Sequence, residues 1–147
     1  MPSPHESATL LIQLYQLRRD PELRAARDWF VTRFHPTSAK EVFAEWMGTD
    51  SAKYRMMTTY WEMAASFVQQ GAIDPQMVHT ANTEYVAVIA KLGPFLAELR
   101  TMSGDARYLA ELEAVVMAMP DAEKRLSMMR KYMRLKAAEV VTGIEPG

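Results

Sequence analysis

The side chains able to do chemistry are few, and they do not gather in the sequence. Histidine occurs at His5, His35 and His79. None has a second histidine or a carboxylate three or four residues away, the spacing that puts two ligands on one helical face. Glu84 follows His79 by five and turns to a different face. His35 precedes Pro36 and reads as a helix terminus, while His79 reads as a solvated residue on the polar side of its helix. Cysteine is absent, which removes disulfides, thiolate zinc sites, cysteine nucleophiles and iron–sulfur clusters together. Glu111 and Glu113 diverge on a helix. No H-E-x-x-H, no G-x-S-x-G and no glycine-rich phosphate loop is present. No catalytic residue, metal or cofactor is therefore assigned.

Two charges stand out because a core would have to accommodate them. Glu62 lies between Trp61 and Met63, and Arg27 sits among Leu23, Phe30 and Phe34 on an apolar helical face. An unpaired buried charge is costly, and an arginine stem can pack while its guanidinium reaches outward. The pattern predicts that Arg27 pairs with a carboxylate of the third or fourth helix, Glu62 first and Glu45 second. Arg100, at the edge of an apolar face, is a candidate of the same kind. The rings nearby make Arg27, Glu62, Trp61, Tyr60 and Tyr85 the candidate ligand-binding residues, with Met57 as a further wall.

The elements that must position them announce themselves by their ends. Ser3-Pro4-His5-Glu6 reads as a capping box with proline at the first helical position. Asp20-Pro21 opens a second helix, which His35-Pro36 ends. Ser38 with Glu41 opens a short third, ended by Gly48. Thr49 or Asp50 caps a long fourth, apolar over more than half its circumference and therefore expected inside the protein. Gly71 suits the left-handed position that ends it, and Asp74-Pro75 starts the next. The apolar phase of Met77, Ala81, Tyr85, Val88 and Leu92 runs on through Gly93-Pro94 to Leu99, which predicts a kinked continuation there, or two helices nearly in line, rather than a full reversal. Asp105 starts another helix, and Pro120-Asp121 opens the last, running to about Thr142. Nothing alternates with period two for long.

The expected fold is all-α, a single-domain helical bundle of about seven to eight helices over residues 1–147, with 143–147 a disordered tail. The chain of 147 residues is long enough to bury a real core. At 49% hydrophobic and 24% charged it matches ordinary globular composition, and its net charge of -1 gives no global bias toward nucleic acid or anionic membrane. No apolar run reaches the roughly 18 residues of a spanning helix. The N-terminus does not read as a signal peptide, and a cytoplasmic location is expected.

The last helix carries a local excess of basic residues, Lys124, Arg125, Arg130, Lys131, Arg134 and Lys136 against Asp121, Glu123 and Glu139. Its wheel has two apolar stripes. Leu126, Met129, Met133, Ala137 and Val140 suit the chain's own core. Met128, Tyr132 and Leu135 form a second, the candidate interface for another helix or a partner subunit. The basic charge also fits a membrane surface or nucleic acid, but no recognition motif accompanies it.

Ala26-Arg27, "YWEMA" (Tyr60 to Ala64), "GAIDPQMV" (Gly71 to Val78) and Leu99-Arg100 resemble, in that order, a bacterial family of short helical proteins labelled only as a domain of unknown function. The resemblance covers Leu10 to Arg100. Some relatives carry an N-terminal membrane helix that this sequence lacks. The resemblance implies a helical bacterial domain and supplies no activity, cofactor or site residue.

The leading expectation is a non-enzymatic interaction or scaffold domain, either a homo-oligomer or bound to a protein partner. The alternative is a small-molecule binder or enzyme with a pocket among Trp61, Met57, Tyr60 and Tyr85. A third reading is a peripheral membrane or nucleic-acid binder using the last helix; the sequence argues against both of those partners.

Overall fold

A computed structural model describes residues 2–142, with side chains described to Val140; the expected tail, 143–147, lies outside the described residues. Among the described residues nine α-helical segments follow one another: α1 (Pro4–Arg18), α2 (Pro21–Thr32), α3 (Ala39–Trp46), α4 (Ser51–Gln69), α5 (Pro75–Ala81), α6 (Val86–Leu92), α7 (Leu96–Ser103), α8 (Ala110–Met117) and α9 (Ala122–Thr142). No strand occurs among the described residues.

Most of the ends are made by the residues that announced them. Ser3 and Glu6 form the reciprocal capping box of α1. Asp20 accepts from the backbone N–H of Glu22 and Leu23, Ser38 from Glu41, and Asp74 from Met77. Each satisfies donors that a helix start leaves without partners. Gly71 takes φ +79 after α4, a conformation that glycine adopts without steric cost.

Gly93-Pro94 does not reverse the chain. A short 3-10 turn, Gly93–Phe95, joins α6 to α7 with right-handed helical backbone throughout, so the two make one kinked rod. The expected run from Asp74 is interrupted earlier instead. At Asn82 the backbone is extended (φ -160, ψ 164). Thr83 and Glu84 then turn the chain before α6 begins. Asn and Thr side chains compete with helical backbone bonding, and the apolar phase on either side masked that signal.

α4 packs against α2 and α8, α6 packs against α9, and α3 packs against α4 and α7. One continuous apolar cluster results. Its deepest element is α6, where every residue but Lys91 is buried. Lys91 donates from Nζ to the carbonyls of Phe30 and Phe34, at the end of α2, and lies over both rings. α9 turns Leu126 and Met133 into the core and leaves Met128, Tyr132 and Leu135 exposed.

Candidate functional site

The two charges singled out from the sequence do not meet. Glu62 reaches from α4 to the start of α8, where its carboxylate accepts from the backbone N–H of Leu112 (2.7 Å) and Glu111 (3.4 Å). The residue before α8, Leu109, is in the left-handed region (φ 56) and offers no side-chain cap, so the cap comes from another helix. Burial raises the Glu62 pKa, against the two backbone bonds that favour its charged form. The expected Arg27–Glu62 pairing is thus overturned, and Arg27–Glu45 with it: the helix start that Glu62 satisfies could not be located without the tertiary fold.

Arg27 pairs with Glu84. Glu84 also takes Arg18, and Arg27 donates to the Arg18 carbonyl at 3.2 Å. The break at Asn82 is what puts Glu84 there. The cluster is half-buried, with Arg18 15% and Glu84 18% exposed. Glu84 was missed although it is the only carboxylate between Asp74 and Glu98. Arg100, the second arginine singled out, donates to Glu113 (3.0 Å) and the Tyr108 carbonyl (2.9 Å).

Beside this cluster lies a cavity of about 60 Å³ between α1, α4 and the Ala81–Tyr85 segment. Three of the expected rings wall it: Tyr60, Trp61 and Tyr85. Met57 does not; it is fully buried against other core residues. Nor do Arg27 or Glu62 reach it. Tyr60 and Trp61 meet edge to face at 4.8 Å between centroids, and Trp61 lies 6.0 Å from Tyr85. The Arg18 guanidinium sits over Trp61 at 5.4 Å and over Tyr15 at 5.7 Å, inside the range of a cation–π contact. Arg18, two residues before Asp20-Pro21, therefore replaces Arg27 as the charged wall.

The two buried phenols of the wall are already engaged. Tyr60 donates to the Leu14 carbonyl at 2.5 Å. Tyr85 donates to Met119 Sδ at 2.9 Å and shares a hydrogen bond with His79 Nδ1. His79 is therefore half-buried and partnered, not solvated as its helical position suggested. Burial pushes both tyrosines up to about 12, so they face the cavity as neutral rings. Two other polar atoms remain. Arg18 Nε and Asn82 Oδ1, on residues that line the cavity, are buried without a hydrogen-bond partner.

Around the Thr83–Val86 turn the surface opens into two adjoining clefts against α9, of about 770 and 430 Å³. Tyr132 and Met129 line both, and Met128 lines the smaller. Leu135 continues the exposed stripe. Among the described residues no group of three or more His, Asp or Glu is placed to hold a metal, and no helix is long and apolar enough to cross a membrane.

A family model described as Domain of unknown function (DUF4760) matches residues 4–119. No curated protein and no solved structure matches the chain. The match extends the resemblance at both ends and spans every residue lining the cavity, from Leu11 to Val115.

Proposed function

The chain belongs to the DUF4760 family, and from that premise and the site geometry we propose that it is a helical binding module whose central cavity takes a small, mainly apolar molecule. The observation that carries this reading is the pair of buried, unpartnered polar atoms, Arg18 Nε and Asn82 Oδ1, on residues lining a cavity walled by rings. Buried polar groups are nearly always satisfied. One donates and the other accepts, so a group that does both, such as a carboxamide or an alcohol, complements them. Small-molecule sites have this form, mostly apolar walls with few fixed polar groups. The cavity volume corresponds to roughly four water-sized volumes at ~15 Å³ each, which sets the scale at a handful of heavy atoms. With the buried Tyr60 and Tyr85 phenols engaged elsewhere and Tyr15 largely exposed, the lining offers groups that hold a molecule and supports binding over catalysis.

The test uses short-chain amides, alcohols and carboxylates, followed by Trp fluorescence and thermal unfolding. A ligand at a hundred times its Kd should stabilise the fold by about 2.7 kcal/mol. Ala64→Leu, on the buried wall, should fill the cavity and abolish that shift while the protein stays folded. Ordered water alone would give no shift with any compound. Binding that survives Ala64→Leu would put the site elsewhere.

A further inference from the structure

We infer that the clefts beside α9 form a docking surface for an acidic amphipathic segment of another protein. This surface adjoins the ring-walled cavity, with Arg18, Ala81, Asn82 and Tyr85 lining both. The two clefts share Thr83, Met129 and Tyr132, so they make one groove along α9. Six cations and three carboxylates line it, a local excess of positive charge on a chain whose net charge is -1. Glu84 takes up Arg18 and Arg27. Arg24 lines the larger cleft and Lys124 the smaller, and both are exposed. The groove also holds an apolar shelf, with Met128 63% and Tyr132 48% exposed, continued on α9 by Leu135 at 58%. These three project from one face of α9, at the i, i+4, i+7 spacing. Exposed apolar side chains rimmed by charge mark interaction surfaces, and a tyrosine flanked by basic residues is the composition that anchors a protein interface.

Charge decides the occupant. A second copy meeting this face across a twofold axis would set the same cations against each other, and like charges in contact oppose association. Nucleic acid presents no apolar side chains to the exposed Met128 and Tyr132, and an anionic lipid surface is flat where this face is a groove. An acidic segment with apolar residues on one side satisfies both halves of the groove: carboxylates on Arg24 and Lys124, and aliphatic or aromatic anchors on Met128 and Tyr132.

The probe is a labelled helical peptide of Glu, Ala and Leu with its leucines on one face, compared with the same peptide carrying Lys for Glu. Fluorescence anisotropy against the full chain should give salt-dependent binding of the acidic peptide in the micromolar-to-millimolar range, with the Lys version at least about tenfold weaker. Arg24→Glu with Lys124→Glu should weaken binding at least about tenfold, and so should Tyr132→Ala. All three positions are exposed, and unchanged circular dichroism and Tm verify each fold. Equal binding of the two peptides, no binding at about millimolar peptide, or indifference to these substitutions overturns the inference. So does a Tyr132-dependent dimer in sedimentation, or tighter binding to duplex DNA or phosphatidylserine vesicles than to the acidic peptide.

Discussion

Replacing Glu62 by alanine and by glutamine should give two very different results. The Glu62 carboxylate is the cap of α8, holding the N–H of Leu112 at 2.7 Å and of Glu111 at 3.4 Å. Glu62→Ala leaves both donors without that acceptor at the positive end of a helix. Loss of a cap costs about 0.5–2 kcal/mol, or a fall in Tm of about 2–6 °C for a chain of this size. Glu62→Gln keeps an oxygen for the short bond to Leu112 and removes a charge that burial disfavours, so its stability at neutral pH should lie within about 0.5 kcal/mol of wild type. The pH dependence has a definite sign. Because burial raises the Glu62 pKa above 4.5, the folded protein holds that proton more tightly than the unfolded chain. Wild type should therefore lose stability relative to Glu62→Gln as pH climbs above 4.5 toward the folded pKa, and the difference should be flat below it. Urea unfolding of the three proteins between acid and neutral pH measures all of this. Equal losses in the two variants, or no loss in Glu62→Ala, would refute the cap.

Three further outcomes follow from the same contacts. Burial brings Lys91 down to about 7, so the folded protein sheds a proton that the unfolded chain keeps to about 10.5. Wild-type stability should rise relative to Lys91→Met between about pH 7 and 9, by of order 1–2 kcal/mol because the two carbonyl bonds hold back part of the shift, and chemical unfolding at both pH values checks this. Glu84→Gln strands two half-buried guanidiniums and should cost about 2 kcal/mol, more than Arg27→Ala, which leaves the Arg18–Glu84 bridge in place; thermal melts rank them. Asp121 is exposed in the left-handed region at φ 57, so Asp121→Gly should raise stability by about 0.5 kcal/mol, read as a small rise in Tm.

The helix ends were legible because their chemistry is local. Ser3, Asp20, Ser38 and Asp74 each bond within three residues, so the order of residues contains the contact. The second stripe of α9 was legible for the same reason: periodicity alone separates Met128, Tyr132 and Leu135 from Leu126 and Met133, and burial agrees. Two rings of the cavity, Tyr60 and Trp61, were legible because a wide apolar arc on α4 must face inward, and the third, Tyr85, because it shares the apolar phase that runs on into α6. The charges were not assigned correctly. Arg27 had several carboxylates to choose from, and the right one, Glu84, is 57 residues away beyond a break that the apolar phase concealed. Arg18 lies near the end of α1 with no local signal that sets it apart, and only its position over Trp61 reveals it.

The cap on α8 has a consequence for how the chain can be cut. A helix whose first turn is held by its own preceding residue depends on the covalent link before it. α8 depends instead on Glu62, in a helix that ends forty residues upstream by the order of the chain. Its starting point is therefore set by the neighbour it rests on. Tyr108 and Leu109, packed into the core, hold the turn beside it, and the exposed stretch from Gly104 to Arg107 spans the gap. A break or an inserted sequence at exposed Asp105 or Ala106 leaves the acceptor where it was, which makes this turn the natural place to insert a sequence or to split the protein into parts that reassemble.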